Sequence, residues 1–338
     1  PPPRSRHTLC CVRTGVMQSF FNNFSEAYKQ HHIINEFIFP GSPSSSYTWN
    51  SFRQDELICL QSQGREKLEI PCLLLQGVQN DGRKQSAAAS TVLIYCHANS
   101  EDLGSIYACA QWMCQMLGVH VLVPEFPGYG LCKGSSCEAS VNRAVLSACQ
   151  FARDVLKIDA SRIIIYGRSI GTGPSVFAAR KGYVGGLVLI SPYTSIKDVV
   201  EQHVGSVISL LTAGSSEWDN ERMIEQVTVP TLIIHGTDDE IIPSRHSEVL
   251  YDRCCAKKKL VLLDHVGHQE MDLLYALVQT LPEIHPVPLS PQPIRLAALG
   301  HAMIERRAAP GRAEGEPGKY IPVFRVEDVE VSLNEGEV

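Results

Sequence analysis

Residues 163–173, which read Ile-Ile-Ile-Tyr-Gly-Arg-Ser-Ile-Gly-Thr-Gly, decide the fold of this chain. The first four residues are apolar or aromatic and show no polar alternation, which is typical of a strand buried in a parallel sheet. The run then breaks into a Gly-x-Ser-x-Gly motif, and small and apolar residues continue at helical spacing through Ala178 and Ala179. The stretch therefore predicts a strand, a sharp turn and a helix, with Ser169 in the turn.

The two glycines of this motif explain how Ser169 would be presented. Gly167 and Gly171 leave room for the backbone in a tight, strained turn where a Cβ atom would clash. Ser169 would then lie at the top of the sheet, at the positive end of the following helix. A phosphate-binding loop is the alternative, but the Gly-Lys-Ser/Thr that such a loop needs does not follow residue 173. We therefore predict a nucleophile elbow of the α/β-hydrolase type, with Ser169 as the nucleophile.

Strands and helices alternate on both sides of the elbow. Strands that alternate with helices of 10–20 residues indicate βαβ units and a mostly parallel central sheet with helices on both faces. An antiparallel hairpin, Leu57–Leu60 with Ile70–Gln76, precedes this alternation, and residues 191–230 leave room only for a minimal cap of one or two short helices. The further predicted strands are Thr91–Cys96, Val119–Val123, Leu187–Ile190, Thr231–Ile234 and Leu260–Leu263, and the main predicted helices are Asp102–Leu117 and Glu138–Leu156.

The chain divides by composition into three parts. Residues 1–40 are predicted to form an N-terminal extension in which Met17–Tyr28 places apolar residues on one helical face. Residues 41–281 are predicted to form the hydrolase domain. Residues 282–338 are Pro-rich and are predicted to be mostly disordered, although Ile321–Val331 alternates enough to pair as a strand.

A serine nucleophile needs a base and an orienting acid, which follow it in α/β-hydrolases in the order Ser, Asp or Glu, His. Asp239 lies just beyond the predicted strand Thr231–Ile234, where catalytic groups collect in open α/β sheets. His268 lies beyond the last predicted strand, just before a helical stretch. Asp238 and His265 are the neighbouring alternatives. We predict a catalytic triad of Ser169, Asp239 and His268.

Acyl transfer also needs hydrogen-bond donors for the negative charge that develops on the carbonyl oxygen. One predicted donor is the backbone N–H of Ile170, the residue after the nucleophile. The other is expected from the loop after Thr91–Cys96, and it points to Asn99. His97, in the same loop, is expected to brace the loop rather than to take part in the chemistry.

Composition excludes several classes of protein. A formal net charge of −6 without a basic stripe argues against nucleic-acid binding, and we predict no nucleic-acid partner. The twelve cysteines contain no C-x-x-C pair, so neither a zinc site nor a disulfide framework is indicated, and no metal or cofactor is predicted. The sequence has no secretory apolar segment and no apolar run near 18 residues. We therefore expect a cytoplasmic protein.

Taken together, these motifs resemble the type-17 α/β-hydrolase-domain proteins, within the group called serine aminopeptidase-like or lysophospholipase-like. The resemblance runs from about Phe37 to Leu281 and implies a depalmitoylase that hydrolyses thioesters of S-acylated proteins on membranes. It maps the nucleophile, acid and base to the three residues predicted above. The motifs that carry it are HANSEDLG at 97–104, GYG at 128–130, IYGRSIGTG at 165–173, SPYTS at 191–195, IHGTDDE at 234–240 and Gly267-His268.

The resemblance also implies palmitoylated cysteines near the N-terminus, and here the chain departs from the family. It carries the single pair Cys10-Cys11 rather than a cluster. Acylation of both, or one acyl chain together with the aromatic face of Met17–Tyr28, would suffice for peripheral membrane association, because one chain alone binds only marginally. An unmodified pair is the alternative. Two further departures are Ala98, where the family usually has Gly, and Arg168, where Gln is common.

The sequence therefore predicts a serine hydrolase that acts through an acyl-enzyme on acyl thioesters of S-palmitoylated proteins. It would work at the cytoplasmic face of the plasma or endosomal membranes. An alternative within the enzymes is a carboxylesterase, a lysophospholipase or a monoacylglycerol lipase acting on acyl-lipid substrates. A peptidase is less favoured, because no clustered carboxylates are present to bind a substrate amine. The alternative from another class is a non-catalytic scaffold that keeps the fold.

Overall fold

The structure, a computed structural model, describes residues 44–62, 68–77, 91–204, 218–285, 303–308 and 320–326. The chain divides into two units, Pro1–Pro40 and Gly41–Val338, and all the described residues belong to the second. The predictions for the cysteine pair Cys10 and Cys11 and for the aromatic face of Met17–Tyr28 lie outside the described residues.

The described strands form one sheet with the order β8-β7-β6-β5-β3-β4-β2-β1-β10-β9. Strands β4, β3, β5, β6, β7 and β8 run parallel, and β2 pairs antiparallel with both β4 and β1. The strands are β1 (Leu57–Ser62), β2 (Glu69–Leu75), β3 (Val92–Cys96), β4 (His120–Pro124), β5 (Ile163–Arg168), β6 (Gly186–Ile190), β7 (Thr231–Gly236), β8 (Lys258–Leu263), β9 (Met303–Ala308) and β10 (Tyr320–Val326).

Helices cover both faces of the sheet, and every residue of β3, β4, β6 and β7 is buried. This is the reason that these strands read as continuous apolar runs. The helices are α1 (Leu103–Leu117), α2 (Glu138–Gln150), α3 (Thr172–Arg180), α4 (Ile196–Val204), α5 (Asn220–Ile224), α6 (Arg245–Arg253) and α7 (Asp272–Ile284).

The predicted α/β-hydrolase fold class is confirmed, and the predicted strands begin and end within two residues of those observed. The helix predicted over Glu138–Leu156 is observed in two parts. The α-helix α2 ends at Gln150, and a π-helical turn follows over Phe151–Val155. In the described part of residues 191–230 the two short helices α4 and α5 occur. Within the described ranges, the helices are too short or too polar to span a lipid bilayer.

The C-terminal region differs from the prediction of a mostly disordered tail. Strand β10 pairs in parallel with β1, with Cys59 opposite Val323, and β9 pairs antiparallel with β10. The ring of Phe324 packs 5.1 Å from that of Phe151. The expectation that Ile321–Val331 can pair as a strand is confirmed as far as Val326, because the edge of β1 gives β10 a partner. The expectation of disorder was wrong for Met303–Ala308. Helix α7 also extends past residue 281 to Ile284, with Pro282 inside it.

Candidate active site

The nucleophile elbow lies where β5 ends and α3 begins. Ser169 has a φ of 52°, in the left-handed region that costs a non-glycine residue about 1–3 kcal/mol. A Cβ atom on Gly167 would clash with the Gly171 carbonyl, and one on Gly171 would clash with the Cys96 carbonyl. Both glycines are therefore required where β5 turns beneath the end of β3.

Ser169, His268 and Asp239 form one hydrogen-bonded chain across three loops at the carboxyl ends of the strands. The Ser169 hydroxyl lies 3.1 Å from His268 Nε2, and His268 Nδ1 lies 2.6 Å from Asp239 Oδ2. Ser169 follows β5, Asp239 follows β7, and His268 follows β8. In this geometry the imidazole can accept the serine proton at Nε2 while Nδ1–H donates to the carboxylate, as serine hydrolysis requires.

The carboxylate of Asp239 is held by four hydrogen bonds. Oδ1 accepts the backbone N–H groups of Ile241 and Ile242 at 2.9 and 2.8 Å. Oδ2 accepts from His268 and also lies 3.1 Å from Nε2 of the buried His235. Burial raises the pKa of this carboxyl, but hydrogen bonds from His235 and His268 outweigh it and hold the pKa below its usual range. Asp239 is therefore ionised at neutral pH.

The neighbouring alternatives lie at the surface. The side chains of Asp238 and His265 are 56% and 90% exposed, and they face each other at 3.5 Å. His265 has a φ of 61° on the turn that follows β8. The structure thus joins Asp239 and His268 to Ser169 and leaves the other Asp and His outside this hydrogen-bonded chain.

The two predicted oxyanion donors lie on neighbouring segments. Ile170 is in the first turn after Ser169, and Asn99 is in the loop after β3, whose last residue, Cys96, pairs with Gly167. The Tyr129 hydroxyl donates to Asn99 Oδ1 at 2.6 Å and thereby fixes that side chain. The use of the Asn99 and Ile170 N–H groups as oxyanion donors stays a prediction.

His97 lies beneath this loop and is fully buried. Its Nε2 is 3.1 Å from Glu125 Oε1, its Nδ1 is 3.0 Å from the Ala98 carbonyl oxygen, and its ring stacks on Phe126 at 4.0 Å. Burial lowers the pKa of His97, but the contact with Glu125 outweighs it and raises the pKa above its ordinary value. The pair braces the loop, as the sequence analysis expects.

Sequence reasoning noted Arg168 only as a departure from a family pattern, and it missed Glu101. Arg168 Nη1 donates to Glu101 Oε1 at 2.7 Å, and Nη2 donates to the His268 carbonyl at 3.3 Å. The other oxygen of Glu101 accepts the Ala98 N–H at 2.7 Å. This ion pair connects the loops after β3, β5 and β8. A charged residue beside the nucleophile was the only sequence signal for it.

Sequence reasoning also missed His235, the last residue but one of β7. The His-Gly dipeptide was visible just after the strand predicted to end at Ile234, but nothing in the sequence indicated that the imidazole faces the acid. Within the described ranges, no group of three or more His, Cys, Asp or Glu side chains is placed to hold a metal ion.

Comparisons with known proteins find related hydrolases. The family described as "Serine hydrolase (FSH1)" matches residues 195–269, a span that includes Asp239 and His268. Human alpha/beta hydrolase domain-containing protein 17B is 26% identical over 272 residues, which are 80% of this chain and 83% of that protein. The protein aho-3 of Caenorhabditis elegans is 26% identical over 69% of this chain and 67% of its own length.

Solved structures show the same fold. The Pyrococcus furiosus esterase Pf2001 superposes with a TM-score of 0.54 at 14% identity, over 72% of this chain and 99% of that one. A hydrolase from Agrobacterium vitis gives a TM-score of 0.52 at 15% identity, over 69% and 100% of the two chains. The chain is a serine hydrolase of the α/β-hydrolase fold, related to the type-17 α/β-hydrolase-domain proteins.

Proposed function

We propose that this enzyme hydrolyses acyl thioesters of S-palmitoylated proteins through a covalent acyl-enzyme. The observation that carries the chemistry is the hydrogen-bonded chain from Ser169 through His268 to Asp239. The choice of substrate rests on the relationship to the type-17 proteins. It also rests on the short helices α4 and α5 in the described part of the cap region, which favour an open site.

In the acylation step, Ser169 Oγ attacks the thioester carbonyl carbon while His268 Nε2 takes the hydroxyl proton. The backbone N–H groups of Asn99 and Ile170 are proposed to hold the oxyanion, each contributing roughly 2.7–4 kcal/mol to the barrier reduction. The carbon–sulfur bond then breaks. The imidazolium of His268 gives its proton to the departing cysteine sulfur, which leaves the palmitoyl group as an ester on Ser169.

Deacylation repeats the sequence with water. His268 removes a proton from the water molecule, the resulting hydroxide attacks the acyl ester, and the proton returns to Ser169 Oγ as the fatty acid leaves. Asp239 remains ionised throughout and stabilises the imidazolium in both steps, because its Oδ1 is held by two backbone N–H groups.

The surface beside the triad suits an acyl substrate. Ile241, two residues beyond the acid, is 44% exposed, and Met271, three residues beyond the base, is 50% exposed. Withdrawing a palmitoyl chain from a bilayer forfeits about 0.8 kcal/mol per CH₂, or ~12 kcal/mol in all. An enzyme that performs this step must offer apolar surface near the triad, and we propose that these two exposed side chains provide part of it.

Peripheral membrane association is part of the proposal, with Cys10 and Cys11 as the lipidated residues and the cytoplasmic face of the plasma or endosomal membranes as the location. Two acyl chains give stable anchoring where one gives only reversible binding. Replacing both cysteines with serine is expected to move the protein from the membrane fraction to the soluble fraction of cells. Unchanged fractionation, or a wild-type protein without acyl groups, would refute this part.

The substrate is tested with matched palmitoyl thioester and oxyester peptides that differ only in the linking atom. The expected result is a higher kcat/KM for the thioester, and activity lost by up to about 10⁶ in Ser169→Ala. Ser161→Ala is the matched control, since this exposed serine lies just before β5 begins, at the end of the strand that is opposite Ser169. A preference for the oxyester would instead support the esterase or lipase alternative.

The scaffold alternative is tested with a fluorophosphonate probe, which labels an activated serine. Labelling of the wild type and of Ser161→Ala, but not of Ser169→Ala, is the expected pattern. Equal residual turnover in the wild type and Ser169→Ala, without labelling of either, would favour the non-catalytic scaffold.

A further inference from the structure

A second histidine contacts the acid of the triad. His235 is fully buried at the end of β7, and its Nε2 lies 3.1 Å from Asp239 Oδ2, the same oxygen that accepts from His268. The proposed mechanism uses only His268 as the base. His235 contacts the acid but takes no part in those proton transfers.

The neighbours of His235 fix which nitrogen carries the hydrogen. Nε2 faces two acceptors, the Ile242 carbonyl oxygen at 2.7 Å and Asp239 Oδ2 at 3.1 Å, so Nε2 bears the hydrogen and shares it between them. Nδ1 lies 2.6 Å from the Ser247 hydroxyl on α6, which can donate to it. All three contacts are satisfied by a neutral imidazole.

These contacts hold the turn that carries the acid. The N–H groups of Ile241 and Ile242 bind one oxygen of Asp239, while the Ile242 carbonyl binds His235. The imidazole of His235 therefore holds Oδ2 of Asp239 and also holds Ile242, whose N–H binds Oδ1 of the same carboxylate. Rotation of the carboxylate away from His268 would break hydrogen bonds at both of its oxygens.

Several ionisable groups among the described residues act on this pair or on its neighbours. His268 after β8 acts on Asp239, and the neighbouring His246 on α6 is influenced by His235, Asp239, Arg245 and Asp198. Arg168, paired with Glu101, donates to the His268 carbonyl. Burial and nearby Arg245 lower the pKa of His246 to about 4, so it is neutral at physiological pH. Its Nδ1 accepts the Thr194 N–H at 3.2 Å, so this second buried histidine is held by Thr194.

We propose that His235 is a positioning residue of the hydrolytic reaction. It orients the Asp239 carboxylate toward His268 and, by sharing Oδ2, limits the negative charge that His268 experiences. The proton transfers of the reaction stay with Ser169, His268, the leaving group and water. Removing it would strengthen the attraction between the carboxylate and the protonated form of His268, so a higher pH would be needed to free the base.

The test is the pH dependence of the rate at which a fluorophosphonate probe labels Ser169, which depends on the base but not on the identity of the natural substrate. His235→Leu is expected to move the acid limb of this profile upward by about one pH unit, a factor of ten in the protonation equilibrium. The plateau rate should also fall about tenfold, because the carboxylate is less well oriented.

Two variants separate positioning from packing. His235→Gln keeps an N–H donor near the Nε2 position and should return the acid limb to the wild-type pH. His246→Gln alters the neighbouring buried histidine, which Thr194 holds, and should leave the limb in place. An unshifted limb in His235→Leu, or an equal shift in His235→Gln, would overturn the proposal, and so would an equal shift in His246→Gln.

A measurement on the wild type covers the case in which His235→Leu does not fold. In ¹⁵N-histidine-labelled protein, His235 should show the neutral form with hydrogen on Nε2. Ser247→Ala, which removes the hydroxyl facing Nδ1, should weaken the preference for this form and shift the acid limb in the same direction by less. A charged His235, or hydrogen on Nδ1, would overturn the proposal.

Discussion

Two buried contacts between a histidine and a carboxylate lie under the active site and differ in what they do. His97 meets Glu125, and His235 meets Asp239, each at 3.1 Å with both side chains fully buried. The other nitrogen of His97 faces a second acceptor, the Ala98 carbonyl, whereas that of His235 faces a hydroxyl that can donate. Both pairs join a histidine to a carboxylate at the same distance, and the third partner differs.

The group that faces the other ring nitrogen decides which form of each histidine is favoured. Two acceptors favour the imidazolium form of His97, which lies against Glu125 in the core beneath the loop after β3. The hydroxyl beside His235 allows a neutral ring, so the charge of Asp239 remains available to His268. The first pair is a structural brace, and the second serves the chemistry. Experiments can test each of these two roles.

Among the residues of these two pairs, the largest effect is expected for Asp239→Asn. The amide has nearly the same shape, but it removes the charge that stabilises the His268 imidazolium and favours the wrong tautomer. The value of kcat should fall by about 10⁴ with the fold retained, as for the acid of other serine triads. Steady-state kinetics and thermal unfolding on the same sample would check both parts. A loss under tenfold would contradict the catalytic role.

Glu125→Gln is the matching change in the other pair, and it should act on stability instead. It leaves a buried imidazole without its ionic partner, which costs about 3–5 kcal/mol in the free energy of unfolding. Denaturant unfolding would measure this cost. For the fraction that remains folded, kcat should fall less than tenfold. A stability equal to that of the wild type would show that the brace is dispensable.

The two pairs should also differ in how stability depends on pH. The pKa of His97 is raised on folding, so its contribution is full below the unfolded value of about 6.5 and is lost as pH rises through the folded value. The pKa of Asp239 is lowered, so its contribution is present above about 3.9 and is lost as pH falls through the folded value.

Unfolding measured from about pH 2 to pH 9 would separate these contributions, because the contribution of Asp239 changes only below about pH 4. His97→Gln should remove the decline on the alkaline side, where each unit of pKa difference is worth about 1.4 kcal/mol. Asp239→Asn should flatten the acid side and leave the alkaline side unchanged. The same alkaline decline in the wild type and His97→Gln would refute the imidazolium assignment.

The smallest effects are expected from two pairs of Arg and Glu that extend the comparison. Arg168→Gln loosens a largely buried pair that joins three active-site loops, so kcat/KM should fall about tenfold, ~1.4 kcal/mol.

Arg307→Gln breaks a pair with Glu69 in which both side chains are more than a third exposed, and it should cost about 0–1 kcal/mol of stability without loss of activity. Equal kinetics of the two variants would argue against the loop-joining role of Arg168.

The sequence was informative wherever a function depends on a local pattern. The elbow, the strands and the order of the triad follow from apolar runs that end in short polar loops. The strand ends then bring Ser169, Asp239 and His268 together, because parallel strands present their carboxyl ends at one edge. The fold class and the triad geometry could therefore be predicted without a structure.

What sequence reasoning missed depends on long-range contacts. Arg168 and Glu101 are 67 residues apart, and neither the motif nor the helix pattern pairs them. Strand β9 reads as a charged segment, so periodicity gave no reason to place Met303–Ala308 in a sheet. His235 illustrates a third case, since the predicted strand ended at Ile234, just before it, and its partner depends on how the turn after β7 folds back.

The pairing of β1 with β10 has a consequence for how the protein is made. Gln54, just before β1, donates to the carbonyl of Tyr320, 266 residues further along the chain. At 5–20 residues per second, a ribosome needs roughly 13–50 s to synthesise that distance. Throughout this interval the nascent chain holds a strand whose outer edge has no native partner, which is an opening for misassembly with other chains. Completion of the sheet must therefore await the emergence of residues 320–326, however early the catalytic core has folded.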